Sequence, residues 1–482
     1  MVKSLLFAGL LLGAWVVAPA ESVTWYVDAS VSQSGDGTSW ETAYKTVREG
    51  LDAAQEGDTV IVAPGVYMKR SPVSARGQTH VKRALARHGL DSATVALAGK
   101  NVVLRSVDPL DPHVVASTIL DGEHQHRVFG FFGTENETCV LSGFTIRNGR
   151  APFAAGIYGS SWGGHTRATI ENNVISGNVA DADMQGGGGI AFCDGVIRNN
   201  IIINNLAVGY EHSAGGGLLD CDGVIEGNII ADNAAEYTWW TTTSGADGGG
   251  LYSCDGIIQS NLILRNSSSS SGGGLYYSAG TIRNNVIAGN SAFDGPGLTG
   301  ARGTIVNCII WGNTSPLEFP QLHISSQPTY SCIQDWTGGG EGNIAEEPRF
   351  VDAEKGDFRL LPGSPCIDAG FNDPELPQTD IAGMHRILFG GKSLTVDMGA
   401  YEYYINDLTP GPNPDQTTFT WSSLADKTYS IFYSSDLLTW CLALASFPSS
   451  GNQTTLWIDD GSLTGIPPSL IRLRFYRSLE NP

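Results

Sequence analysis

Lysine is missing from the middle of this chain: between Lys100 and Lys355 there is none. A lysine base or nucleophile is therefore excluded across that stretch. Charge of either sign is scarce, at 16% of 482 residues, and 49 Asp and Glu face 28 Lys and Arg for a formal net charge of −21. Such an excess of acid argues against nucleic acid or an anionic membrane as partner. Beyond Val17 no apolar run approaches the roughly 20 residues of a spanning helix, so no membrane-spanning segment is expected. The short run before it, Leu5 to Val17, follows Lys3 and ends in Ala18-Pro19-Ala20. That pattern reads as a secretory signal peptide over residues 1–20, which predicts a secreted protein, extracellular, periplasmic or on the cell surface.

Glycine, by contrast, is abundant, with 61 residues. Much of it belongs to a line that returns: "GGGGIAFCDGVIRNNIIINN", "GGGLLDCDGVIEGNIIADN", "GGGLYSCDGIIQSNLILRN". Aligned on Asn178, Asn205, Asn233, Asn266, Asn290 and Asn313, the copies are spaced by a fixed unit with variable padding, which is the mark of a stacked solenoid. Each unit holds three apolar runs too short for helices and rich in Ile, Val and Leu. The expected fold is all-β: a right-handed parallel β-helix with three short strands per coil. A second set, Asn173, Asn200, Asn228, Asn261 and Asn285, sits between the second and third strands and is expected to stack as a ladder. All the padding falls between the third strand and the next glycines, so function is sought there.

The segment "TAYKTVREGLDAAQEGDTVIVAPGVY" reads as an amphipathic helix stopped at Gly57, capping the open first coil. The β-helix is expected over residues 21–404, a linker over 405–416 ("DLTPGPNPDQ"), and a small C-terminal β-sandwich-like module over 417–482. Eight cysteines would permit disulfides in an exported protein. Cys193, Cys221 and Cys254 share one slot of the repeat and are expected as buried, reduced thiols, whereas a Cys308–Cys332 bridge is allowed.

The stretches "WYVDAS", "GDTVIVAPGVY", "TILDGE", "LSGFTIRNG", "NCIIWGN", "SPCIDAG" and "VDMGAYEY" together resemble the secreted bacterial β-helix repeat proteins of the pectate-lyase-like superfamily. The resemblance spans roughly residues 23–404 and implies the fold. It leaves activity open, because that superfamily includes polysaccharide lyases, glycoside hydrolases, epimerases and non-catalytic surface proteins. The G-H-G and R-I-K tripeptides of polygalacturonases are absent, "RIL" at Arg386–Leu388 being the nearest approach. No residue carries over from a family motif.

The padding, the variable columns of the first strand and the upstream "APFAAGIYGSSWGGH" supply the candidates. Carboxylates and a histidine suit proton transfer, which nominates Asp183, His212, Asp220 and Asp247 as catalytic. Aromatic faces suit sugar rings, which nominates Tyr158, Trp162, Tyr210, Trp239, Trp240, Tyr252 and Tyr276 as substrate-binding, with His165 in the same neighbourhood. A bland alternative has these side chains packing over the coil edge. Strict alternation would bury Asp220, so a local bulge is expected there. Asp194, Asp222 and Asp255 stack in the D-G turn, where calcium would relieve their repulsion, although D-G is also what a tight turn requires. No cofactor is required on this reading, and calcium is the one ion considered. The basic run 68–89 would be the place to hold an anionic ligand, or simply a solvated face. The expectation is an exported monomer that binds an extracellular polysaccharide and cleaves it by lyase- or hydrolase-like chemistry. The alternative is a non-catalytic surface or matrix protein that binds glycan or protein through the same loops.

Overall fold

The computed structural model describes residues 22–69, 90, 92–161, 164–181, 185–238, 245–435, 439–451, 454–466, 468 and 475–480. The expected signal peptide and nearly all of the basic run lie outside these residues. One coil shows the plan of the whole. The chain runs through Leu218–Leu219, turns at Asp222-Gly223, continues through Val224–Glu226, and bends at Asn228. It then forms Ile229–Ala231, bends at Asn233, forms Ala234–Tyr237, and returns over Gly248–Gly250 to Leu251–Tyr252. Repetition stacks these strands in parallel into sheets of nine, ten, ten and six strands, here sheets 1 to 4 in the order the coil visits them. The architecture is a right-handed parallel β-helix.

Three sheets run the length of the coil, as the apolar runs predict. The padding, however, is not merely loop. Its first residues form sheet 4, where Leu206–Gly209, Ala234–Tyr237 and Ser267–Ser271 stack in sequence, "SSSSS" included. Its last residues form a small sheet of Gln185–Gly186, His212–Ala214 and Gly245–Asp247. Backbone satisfaction explains this: a chain segment lying against a stacked neighbour at strand spacing gains its hydrogen bonds for little extra ordering.

Inside the coil like stacks on like. Leu218, Cys221, Ile225 and Ile230 are wholly buried, and Leu251, Cys254, Ile258 and Ile263 repeat them one coil on. Each fully buried aliphatic side chain contributes about 1.5–3 kcal/mol. The asparagines form two buried ladders, one at each end of sheet 3. In the first, Asn228 Oδ1 accepts from the Asn200 amide (2.9 Å) and Asn200 Nδ2 (3.1 Å), while Asn228 Nδ2 donates to Ile197 O (2.8 Å) and Asn261 Oδ1 (3.0 Å). In the second, Asn205, Asn233 and Asn266 repeat the pattern, and it ends where Asn313 Nδ2 donates to Gln321 Oε1 at 2.8 Å. The glycine run has a steric cause: a Cβ on Gly216 or Gly217 would lie 2.6 Å from the carbonyl oxygen of Gly249 or Gly250 in the next coil.

Helix α1 (Val47–Ala53) covers the first coil through Val47, Gly50 and Leu51, and ends before the expected stop at Gly57. Its start is fixed by a capping box, Thr46 Oγ1 accepting from Glu49 N and Glu49 Oε2 accepting from Thr46 N. All eight cysteines are free, and Cys193, Cys221 and Cys254 are buried. The Cys308–Cys332 bridge is not formed; Cys308 Sγ donates to Val306 O and Cys332 Sγ to Glu346 O.

After the last coil, residues 350–403 fold back over sheet 3, packing Leu360, Cys366, Ile367 and Met398 onto Leu262, Leu264 and Ile309. Arg386 is buried there, within 3.9 Å of Glu402 and bonded to Ser260 Oγ and the carbonyls of Gly399 and Ala400. The C-terminal residues form two three-stranded antiparallel sheets around Phe419, Trp421, Ile431 and Trp457. Part of the expected linker is in fact a strand. Asn406–Pro410 pairs antiparallel with Thr417–Ser422, because its Thr-Pro-Gly-Pro stretch turns the chain back rather than leaving it extended. Among the described residues no helix is long and apolar enough to cross a membrane.

Two predictions follow from these interior polar groups. Asn228→Ala leaves buried donors and acceptors without partners and should destabilise the protein by about 2–4 kcal/mol, against less than about 0.5 kcal/mol for the exposed Ser269→Ala, read by denaturant unfolding. Burial pushes Asp397 up to about 7, against the pull of its bonds from the Asp368 and Tyr403 amides. A carboxyl raised in the folded state binds its proton more tightly there. Its stabilisation is complete below the unfolded value and is lost as pH rises through 7. Unfolding free energy should therefore fall between about pH 4 and pH 7, by up to about 1.4 kcal/mol per pH unit, and Asp397→Asn should flatten the slope.

Candidate functional site

The outer face of sheet 1 carries one residue per coil in strict register: Tyr158, Ala191, Leu219, Tyr252, Tyr276, Thr299 and His323. The next residue in each coil should by alternation point inward. Instead the chain turns left-handed there, with φ of +62° at Phe192, +51° at Asp220, +50° at Ser253 and +50° at Tyr277. This bend keeps Asp220 half-exposed, doing what the expected bulge would do. A non-glycine residue with such a φ is uncommon, yet the bend recurs coil after coil, so it belongs to the fold.

Along one rim of this face lie His165, Asp194 and Asp220. His165 Nδ1 is 3.0 Å from Asp194 Oδ1, its Nε2 is 3.9 Å from Asp220 Oδ2, and its ring tilts against Phe192 at 5.3 Å. Burial draws the imidazole pKa down, but the hydrogen bond to Asp194 and the charges of Asp194 and Asp220 outweigh it, for a net rise. Burial raises Asp220 as well, with only His165 pulling it back. The arrangement is an imidazole oriented by one carboxylate and facing another, competent to give or take a proton.

Along the opposite rim lies Asp247. Its Oδ1 accepts from the Ser271 amide at 2.9 Å, and its strand pairs with His212–Ala214, which brings His212 alongside. Burial raises the Asp247 carboxyl, partly countered by the Ser270 and Ser271 bonds and by His212. Between the rims Tyr252 and Tyr276 stack at 5.3 Å and 30°, and Tyr277 meets Tyr276 edge-on at 4.5 Å. Burial, then the Asp247 charge, holds both stacked phenols above their ordinary value. Tyr210 projects from the same edge, 53% exposed. Beyond them Asp294 Oδ1 lies 2.5 Å from His323 Nδ1, with the Phe319 ring 5.1 Å from His323.

The structure thus brings together His212, Asp220, Asp247, Tyr252 and Tyr276 from the predicted set. Tyr158 is a correction. It is wholly buried beneath Phe153 and Phe192 with the Arg127 guanidinium 4.4 Å over its ring, and it bonds Ser161, so no sugar reaches it. Leu90, Ala93 and Ala154 pack around it, closing that end of the face. Asp183, Trp162, Trp239 and Trp240 lie outside the described residues. The pair Asp294–His323 went unread in the sequence because that coil lacks the "GGG" that marks the others.

Asp194, Asp222 and Asp255 stack as expected, and each serves the turn. Asp194 Oδ1 accepts from the Asp222 amide (3.0 Å), Asp222 Oδ1 from Asp255 (2.8 Å), and Asp255 Oδ1 from Ala279 (2.6 Å). One oxygen of each carboxylate is therefore committed to backbone. Among the described residues no three His, Cys, Asp or Glu side chains converge as a metal would require. A surface hollow of about 470 Å³ lies elsewhere, on sheet 4 between Ser268, Phe293 and Pro316. It is shallow and holds no titratable group, so the chemistry is assigned to the face of sheet 1.

No protein-family model matches the chain, and neither does any curated protein sequence. Among solved structures the chain is similar to pectate lyase Pel9A, at 12% identity and a TM-score of 0.39, covering 79% of this chain and 96% of that one.

The geometry predicts that the His165 ring, followed by NMR of histidine-labelled protein, titrates above the ordinary value of about 6.5. Asp194→Asn should bring it down. The raised value also means that the stability supplied by this pair is full below the ordinary value and lost as pH rises through the folded one.

Proposed function

We propose that this is an exported protein that binds an extracellular polysaccharide along the outer face of sheet 1 and cleaves it there. The observation that carries the reading is the placement of a stacked tyrosine pair between two rims, each bearing a carboxylate and a histidine. Tyr252 and Tyr276 offer flat apolar surface to successive sugar rings. His165, held by Asp194 at Nδ1, presents Nε2 toward Asp220, so the pair can pass a proton to or from a group bound on the floor. Asp247 and His212 address the same bound chain from the other side.

The test is incubation of the mature protein with neutral, acidic and aminated polysaccharides, with and without calcium, and mass spectrometry of the soluble products. Unsaturated ends would identify a lyase and hydrated ends a hydrolase. His165→Ala and Asp220→Asn should each lower the rate about 10²–10⁴-fold. Tyr252→Ala should weaken binding by up to about 10-fold with a smaller effect on turnover. Binding without products, unchanged by His165→Ala, would leave a glycan-binding scaffold. Neither binding nor products across the panel would overturn the reading.

A further inference from the structure

The acids of this face are partnered differently from those on the rest of the coil. At four places elsewhere an arginine one coil away meets a carboxylate: Arg147 meets Asp121, Arg150 meets Asp181, Arg198 meets Glu171 and Arg265 meets Asp232, all at 2.7–2.9 Å. Such cross-coil pairs cancel the charge that stacking would otherwise accumulate. On the face of sheet 1 the pattern stops. Among the described residues Asp194 and Asp220 meet only His165 in ion-pair range, and Asp294 meets His323. Among the described residues, Asp247 has no ion pair within 4.0 Å and is bonded by the Ser271 amide. Among the described residues Arg302 lies over the floor at one end, 5.7 Å from the Tyr277 ring, and Arg127 covers Tyr158 at the closed end.

The uncompensated charge is not relieved by solvent alone. Asp220, Asp222 and Asp247 are all raised by burial first, and Asp194 and its neighbours add repulsion to Asp220 and Asp222. A bound polymer carrying carboxylates would add like charge to both rims, where desolvation by the polymer itself strengthens the repulsion. A polymer carrying ammonium groups would supply the cations that arginine supplies on the other faces.

We propose that the polysaccharide accepted on this face is amine-bearing, a de-N-acetylated hexosamine polymer, and not a polyuronate. The proposal rests on the reading of the face as a polysaccharide site and adds the sign of its ligand. Asp220 and Asp247, one on each rim, are the specificity-determining residues: they face the floor from opposite sides, and among the described residues neither is paired with lysine or arginine.

The experiment compares the binding of oligomers of glucosamine, N-acetylglucosamine and galacturonate by calorimetry, at mildly acidic pH and low ionic strength, with and without calcium. Glucosamine oligomers should bind at least about 10-fold more tightly than the N-acetylated ones, and the difference should shrink as salt is raised. In the double variant Asp220→Asn, Asp247→Asn the preference should be lost, while the near-ultraviolet circular dichroism of the stacked tyrosines stays that of the unsubstituted protein. This last readout separates lost charge recognition from a misfolded face. Equal or tighter binding of the N-acetylated oligomer overturns the proposal and leaves the polysaccharide reading standing. So does tighter binding of galacturonate, with calcium or without. Binding of none of the three overturns both.

Discussion

Hydrogen bonding between one coil and the next is the constraint on which everything else depends. A parallel stack satisfies its backbone only if each coil sets its amides opposite the carbonyls of its neighbour, in register, around the whole circuit. Residues that make the circuit the same size in every coil are therefore repeated, and residues that do not affect its size are free to change. The two asparagine ladders fix the corners at either end of sheet 3, the D-G turns fix the corner between sheets 1 and 2, and the glycine run permits the closest approach. The interior then follows, since any residue in a fixed position must fill the same volume as the one above it.

Functional chemistry is displaced to where the constraint is loosest. The outer column of sheet 1 lies outside the stacked interior, so Ala, Leu, Tyr and Thr all occupy it without disturbing the stack. The left-handed bend that follows turns a second column outward, and this is what brings Asp220 to the rim opposite Asp247. Two tyrosines, two carboxylates and two histidines from five different coils thereby meet on one surface, although they are spread over more than a hundred residues of sequence.

The coil was legible because its determinants are local and repeated. Short Ile/Val runs, Asn corners and D-G turns each state a backbone geometry, and their common spacing states that they stack. The second asparagine ladder served the sequence reading as an alignment mark, although its bonds run between coils just as those of the first ladder do. Sheet 4 escaped notice: "SSSSS" has no apolar pattern and becomes a strand only because a neighbouring strand is there to receive it. Of the candidate site, column membership could be counted, which placed Tyr252, Tyr276 and Asp220 correctly on the face. Burial could not be counted. Tyr158 holds the same column position as Tyr252, and what separates them is the packing of Leu90, Phe153 and Phe192 over one and not the other. The role of His165 depends on a contact between three consecutive coils, which no local pattern encodes.

The padded segment that leaves the coil after Ala234–Tyr237 and returns at Gly245–Asp247 is anchored in paired strands on both sides. The anchors keep their own hydrogen bonds to the neighbouring coil whatever length joins them. The scaffold is in this sense insulated from its own decoration: an exchange of that segment alters what the rim presents while the ladders, the core and the opposite rim keep their places. A protein built this way can change the partner it recognises in one coil at a time, without having to solve its folding problem again.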